Sequence, residues 1–243
     1  MTILSVNLNK IALLRNARGR DFPNVVAFAN KFIALGARGI TVHPRPDERH
    51  ITYQDTIDLG QLLNDNHDVE FNIEGYPTEP FLDLVQQAKP NQCTLVPDSP
   101  DQITSDHGWN LQINGDVVRA VCIRLSKAGI RTSLFLDPDT EHVQLAKKVG
   151  ADRIELYTEA FANAFHTPQR DTVIKQYHAA TQMAQTLGIG VNAGHDLDLE
   201  NLAAFLTIDN ILEVSIGHAL IVECLEQGLS SVVKQYLDIC NAS

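Results

Sequence analysis

Short runs of Val, Ile and Leu alternate along this chain with longer stretches whose apolar residues recur every three or four positions. The short runs are ILSVNL (3–8), GITVHP (39–44), VEFNIEG (69–75), QCTLVP (92–97), RTSLFLD (131–137), RIELYT (153–158), GIGVNAGH (188–195) and ILEVSIGH (211–218). Their length, β-branched content and closing Gly, Pro, Asn or Asp predict strands. Most are nearly continuous in hydrophobicity, which predicts strands buried on both faces. Helical spacing runs through 24–33, 53–65, 79–88, 116–128, 140–149, 171–187, 198–206 and 219–239; in the first of these, Val25, Phe28, Ala29 and Phe32 share one face. Gly36, Gly129, Gly150 and Gly188 each stand between a helical stretch and the next strand, the place of a helix C-cap.

Eight strands alternating with eight helices in 243 residues predict a single (β/α)8 barrel of parallel strands over 1–243, with room for extra short helices. An open doubly wound sheet is the rival. It calls for a Gly-rich turn after the first strand, where this chain reads NLNKIALLRNARG. No linker or low-complexity tract divides the chain. The segment 98–114 is longer than an ordinary strand-to-helix loop and is a candidate lid or binding loop.

Polar residues gather at one end of the predicted strands. Strand 1 ends in Asn7, Asn9 and Lys10, and strand 2 in His43 with Arg45, Arg49 and His50 beyond it. Strand 3 ends in Glu74, strand 4 is followed by Thr104, and strand 5 ends in Asp137. Strand 6 carries Glu155 and Tyr157, strand 7 ends in Asn192 and His195, and strand 8 in Ser215, Gly217 and His218. In a barrel these ends share the face where active sites form. A lone strand-end His is as readily a structural residue, but four of the nine histidines (43, 50, 195 and 218) fall here. Glu74 interrupts an apolar run, a costly place for an unpaired carboxylate. Glu155 and Asp137 read equally well as site residues or as salt-bridge partners, and Cys93 and Ser133 read as core filler.

Two features point to phosphate. Gly217-His218-Ala219 opens the last helix beside Asn192-Ala193-Gly194-His195-Asp196, and free N–H groups at a helix start bind anions. Arg15, Arg18 and Arg20 follow strand 1 and Arg45 and Arg49 follow strand 2, and guanidinium forks suit phosphate or carboxylate. A solvated patch paired with Asp21, Asp47 and Glu48 is the alternative. The net charge of −11 argues against nucleic acid or an anionic membrane as partner. The four cysteines, Cys93, Cys122, Cys224 and Cys240, show no zinc or disulfide spacing. With neither a signal peptide nor a membrane span in the pattern, the expected location is the cytoplasm.

Longer strings carry a resemblance. VNLNKIALLRNARG (6–19), GITVHPRPDERHIT (39–52), FNIEG (71–75), TLVPD (94–98), RTSLFLD (131–137), RIELYT (153–158), VNAGHDL (191–197) and SIGHALI (215–221) follow one another across the whole chain. In them the sequence resembles the pyridoxine 5′-phosphate synthases of the deoxyxylulose-dependent vitamin B6 pathway. The resemblance implies a homo-octamer of barrels without metal or organic cofactor. It implies two small phosphorylated substrates, 3-amino-2-oxopropyl phosphate and 1-deoxy-D-xylulose 5-phosphate, condensed to pyridoxine 5′-phosphate, phosphate and water. By the same resemblance His43 and Glu74 are expected as proton acceptors and His195 as proton donor. Arg45, His50 and Thr104 are expected on the deoxyxylulose phosphate, and Asn7, Arg18, Asp196, Gly217 and His218 on the amino-ketone phosphate. Asn9-Lys10 stands where many members have Asp-His, a pair expected at the deoxyxylulose phosphate, and Asp196 stands where Gly is common.

Other chemistries fit some of these residues. Lys10 at a strand end is the arrangement of a Schiff-base aldolase. His43, Glu74, Asp137 and His195 are a donor set for a metal-dependent phosphosugar epimerase. A non-catalytic phosphometabolite sensor on a barrel is the third reading.

Overall fold

The computed structural model describes residues 1–98 and 105–242. Strands β1 (Ile3–Asn7), β2 (Gly39–Val42), β3 (Glu70–Gly75), β4 (Gln92–Leu95), β5 (Arg131–Leu136), β6 (Arg153–Tyr157), β7 (Gly190–Gly194) and β8 (Ile211–Ile216) pair in parallel, each with the next. β8 returns to β1 with Ser215 opposite Ser5, and this closes the barrel. The described helices are α1 (Asn9–Asn16), α2 (Val25–Ala34), α3 (Tyr53–Asn64), α4 (Glu79–Ala88), α5 (Leu111–Lys127), α6 (Thr140–Val149), α7 (Glu159–Ala164), α8 (Arg170–Thr186), α9 (Leu202–Phe205), α10 (His218–Gln227) and α11 (Leu229–Ala242). None is long and apolar enough to cross a membrane.

Local chemistry sets the helix ends. Asn24, Thr52, Thr78 and Asp139 accept the first free N–H groups of α2, α3, α4 and α6. At α3 the capping is reciprocal, since the Asp55 carboxylate takes the Thr52 N–H at 2.8 Å. The four glycines expected as C-caps all take positive φ, between 65° and 109°.

Some boundaries depart from the sequence pattern. The stretch after β1 forms α1, which burial of Ile11 and Ala12 holds in place. The helical stretch 219–239 divides at Gly228, whose φ is 87°. α5 begins at Leu111, and only four residues of 198–206 are α-helical. Of the long segment 98–114, residues 99–104 lie outside the described residues, Thr104 among them. Beyond it Trp109 is buried, and its indole N–H donates to the Leu95 carbonyl at 2.8 Å.

The strands are not apolar on both faces. Leu4, Val6, Ile40, Val42, Phe71, Ile73, Leu134 and Ile154 belong to the hydrophobic core under the helices, while most of their neighbours along each strand are polar. The Asn192 amide of β7 donates to Gln92 Oε1 of β4 at 3.3 Å. Those strands are not adjacent, so the contact crosses the lumen. Ser5 and Thr41 hydroxyls meet at 2.7 Å, Asn72 donates to Thr41, and Thr94 donates to Asn72. Arg131 reaches Gln92 and Glu70, and Arg153 reaches Asn192 and lies 3.5 Å from Glu213. The strands are buried on both faces, as the hydrophobic runs predict, but the lumen face is polar, a period-two pattern that Gly, Thr, Ala and Cys blur in the sequence. Many groups that would be costly alone in a low-dielectric interior are tolerated here by bonding one another across the barrel, although among the described residues the Ser133 hydroxyl and both Glu213 carboxyl oxygens have no hydrogen-bond partner.

Candidate active site

The C-terminal ends of the strands surround a cavity of about 560 Å³. A hollow of about 720 Å³ lies between α4 and α5 at the opposite rim, lined by Lys89, Arg124 and Lys127, with no acid–base group converging on it.

One wall is built from the turn after β1. Asn7 Oδ1 accepts the Asn9 N–H at 3.0 Å, and Asn9 Oδ1 accepts the His43 N–H at 2.9 Å. The first turn of α1 is thereby stitched to the end of β2, and Lys10 is delivered to the cavity. The Asn9 amide oxygen does what an Asp carboxylate could also do at this position.

His43 and Glu74 meet at the floor, with Nδ1 3.9 Å from Oε2. Burial, then the nearby Arg45, holds the His43 imidazole well below its ordinary value. Burial, then the Glu155 carboxylate, pushes Glu74 well above the usual carboxylate range. Glu155 is buried beside them with one carboxyl oxygen unpartnered, and burial and Glu213 raise it to about 8. Burial thus favours the uncharged forms of all three groups.

The β2 loop supplies the cations. Arg45 is buried and donates to Asp98 at 2.6 Å, and Ser105 donates to the same oxygen at 2.7 Å. Arg49 lines the cavity and pairs with Asp47 at 2.7 Å. His50 Nδ1 accepts the Ile51 N–H at 2.9 Å, which leaves Nε2 as the N–H donor. Burial, Arg45 and Lys10 lower His50 to about 4, which favours its neutral form. Arg15 and Asn16 of α1 pin this loop by binding the His50 carbonyl, and Arg15 also forks onto Asp55.

The opposite wall follows β7 and β8. His195 and Asp196 take φ of 82° and 57° in succession. The left-handed region explains why Gly is common at the second position, and Asp is among the residues that tolerate it. The turn is clamped from outside: the Thr158 hydroxyl donates to the carbonyls of Gly194 and His195, and the Asn201 amide donates to that of Asp196 at 3.0 Å. Gly217 and His218 present the start of α10 to the cavity, where first-turn N–H groups have no helical partner. Burial lowers His195, while Asp196, Asp98 and Glu159 pull the other way.

The cavity therefore gathers Asn7, Asn9, Lys10, His43, Arg45, His50, Glu74, His195, Asp196, Gly217 and His218. Arg18 lies on the exposed stretch after α1, outside it. Asp137 turns away to accept the Gly108 N–H at 3.1 Å. Among the described residues no three His, Cys, Asp or Glu side chains are arranged to hold a metal ion. The strand-end residues Glu155, Tyr157 and Ser215 also line it, and the structure adds Glu159. The signal for Glu155 and Tyr157 was their alternation along β6 with apolar Ile154 and Leu156.

Over residues 4–242 the chain matches the family described as pyridoxal phosphate biosynthesis protein PdxJ. It is 51% identical to a pyridoxine 5′-phosphate synthase of Parabacteroides distasonis, with 100% of both chains covered. It is 53% identical to one of Bacteroides fragilis, covering 97% of this chain and 98% of that one. Among solved structures, N-(5′-phosphoribosyl)anthranilate isomerase from Pyrococcus furiosus superimposes with a TM-score of 0.61 at 9% identity, with 100% of both chains covered. A structure described as native KDPGal gives 0.62 at 13% identity, covering 98% of this chain and 96% of that one. At such identities the likeness is one of fold.

Proposed function

The chain belongs to the PdxJ family of pyridoxal phosphate biosynthesis proteins, and from that premise we propose that its barrel mouth condenses 3-amino-2-oxopropyl phosphate with 1-deoxy-D-xylulose 5-phosphate. The products are pyridoxine 5′-phosphate, phosphate and water. The observation that carries the residue assignment is the convergence of His43, Glu74 and His195 on one cavity with an anion-binding rim on each side.

Arg45, His50 and Lys10, with the Asn9 amide, hold the deoxyxylulose phosphate. The start of α10 at Gly217-His218, with Asn7 and the Asp196 turn, holds the amino-ketone phosphate. Thr104 and Arg18 join these two sets by resemblance alone. Between the phosphates the amine attacks the ketone, water and phosphate leave, and ring closure follows proton removal from carbon. Each of these steps moves a proton, the work of a positioned general acid or base. His43, held neutral, accepts protons. Glu74 accepts and returns them, with its affinity raised by burial. His195 donates, because the surrounding carboxylates and the arriving phosphate dianions favour its charged form. Glu155 stores a further proton beside Glu74.

Purified protein should release phosphate and form pyridoxine 5′-phosphate only when both substrates are supplied. His43→Asn and Glu74→Gln should each abolish this with circular dichroism unchanged, and a fully active double variant would overturn the assignment. Full activity in Lys10→Ala would exclude a Schiff base there. An octamer, which the resemblance implies, would cover exposed apolar residues such as Leu14, Phe22 and Leu225. Light scattering should give eight times the 26.8 kDa chain mass. The cytoplasm is the compartment this chemistry fits, and fractionation checks it.

A further inference from the structure

The ring of His195 is held in an unusual way for a histidine that moves protons. Histidines in acid–base sites commonly lend one nitrogen to a carboxylate or carbonyl, which fixes tautomer and aim together. Among the described residues neither ring nitrogen of His195 has a hydrogen-bond partner, and the ring instead meets two aromatic side chains. Tyr157 approaches at 5.2 Å between centroids with an interplanar angle of 77°, and Phe135 at 5.7 Å and 60°. Those two rings brace each other at 5.2 Å, with Val96 packed against them in a small cluster separate from the main core.

Tyr157 is itself fixed at both ends. Its carbonyl accepts the Tyr177 hydroxyl at 2.7 Å, and its own hydroxyl donates to Glu159 at the start of α7. The next residue, Thr158, clamps the backbone that carries His195. One short segment, 157–159, thus controls both the backbone and the ring of His195.

We infer that Tyr157, tethered through its hydroxyl to Glu159, is the positioning residue for the His195 imidazole. Packing aims the ring while leaving both nitrogens to the substrates, so the bound reactant selects the tautomer. Tyr157 touches no reacting atom in this scheme and acts through His195. The effect on turnover rests on the donor role proposed for His195; the effect on ring placement does not.

The test combines steady-state kinetics with NMR of the His195 ring protons, which neighbouring aromatic rings shift. In Tyr157→Leu, kcat should fall about 30-fold, within the roughly 100-fold that a 1 Å misplacement costs. KM for each substrate should stay within about twofold, and the shifted His195 resonances should move toward free-histidine positions. Tyr157→Phe keeps the ring and loses the tether, so its loss should be smaller, about fivefold. Glu159→Ala should match Tyr157→Phe, and Glu159→Gln, which still accepts from the hydroxyl, should restore most of the rate. Combining Tyr157→Leu with His195→Gln should be no slower than His195→Gln alone, the non-additivity of residues acting as one unit. Unmoved His195 resonances in folded Tyr157→Leu, or fully additive losses, would overturn the inference. Full activity in His195→Gln would refute the donor role instead, and the resonance shift would still decide whether Tyr157 places the ring.

Discussion

His43 and Glu74 face each other across 3.9 Å, and burial favours the uncharged form of each. This arrangement predicts the pH profile. As pH falls, activity should be lost when His43, the proton acceptor, protonates, below the ordinary 6.5 because burial lowers it. As pH rises, it should be lost near 8, where Glu155 gives up its proton. The profile of kcat/KM should therefore be bell-shaped, and Glu155→Gln should displace its alkaline limb while leaving the acid limb in place. A limb unmoved in that variant would assign the alkaline transition elsewhere. Gly194 offers a steric test of the same carboxyl. A Cβ there would stand 2.4 Å from Glu155 Oε1. Gly194→Ala should displace that side chain and lower kcat by roughly tenfold.

The first turn of α1 and the loop after β2 form one unit. Arg15 ties α1 to Asp55 in α3 and to the carbonyl of His50, while Asp55 also completes the cap of α3. The Arg15–Asp55 pair is about 11% exposed on each side, so solvent screens it little. Asp55→Ala removes a cap and leaves a nearly buried guanidinium unpaired, and it should cost about 2–4 kcal/mol in denaturant unfolding. Arg15→Gln should cost less and should show mainly as a higher KM for the deoxyxylulose phosphate, because the His50 carbonyl loses the Arg15 bond and keeps only that of Asn16. An unchanged KM would separate the loop from phosphate binding. Sequence spacing placed these arginines at the right face and left them to phosphate, carboxylate or a solvated patch. Arg15 is instead an internal brace, a distinction that depends on Asp55, forty residues away.

Across the whole barrel, apolar side chains face the helices and a polar network fills the lumen, with Glu155 and Glu213 among its buried members. A carboxyl whose folded pKa is raised binds its proton more tightly in the native state than in the unfolded chain. Its contribution is complete below the unfolded value near 4.5 and drains away as pH rises toward the folded value, about 8 for Glu155 and about 7 for Glu213. Thermal stability should therefore decline from pH 5 to pH 8. Glu155→Gln has no such proton to lose, so its melting temperature relative to the native chain should rise over that interval. A domain of this size moves about 2–4 °C per kcal/mol. A constant difference across the interval would mean that Glu155 titrates as in the unfolded chain.

Strand order, the one-sided gathering of polar residues and the glycine caps were legible in the chain because they depend on local periodicity and on residues near in sequence. Eight alternating units have few ways to bury their faces, so the barrel follows from the pattern. The long strings around His43, Glu74 and His195 also identified the chemistry before any distance was known. What the chain order left open were relations between distant residues. These include the lumen contacts between β4 and β7, the pairing of Arg15 with Asp55, and the aromatic rings that aim His195. They also include the position of Arg18 outside the cavity that gathers most of its expected companions. Each depends on which side chains the closed barrel brings within a few ångströms. Burial then shifts their protons, and one-dimensional spacing carries no measure of burial.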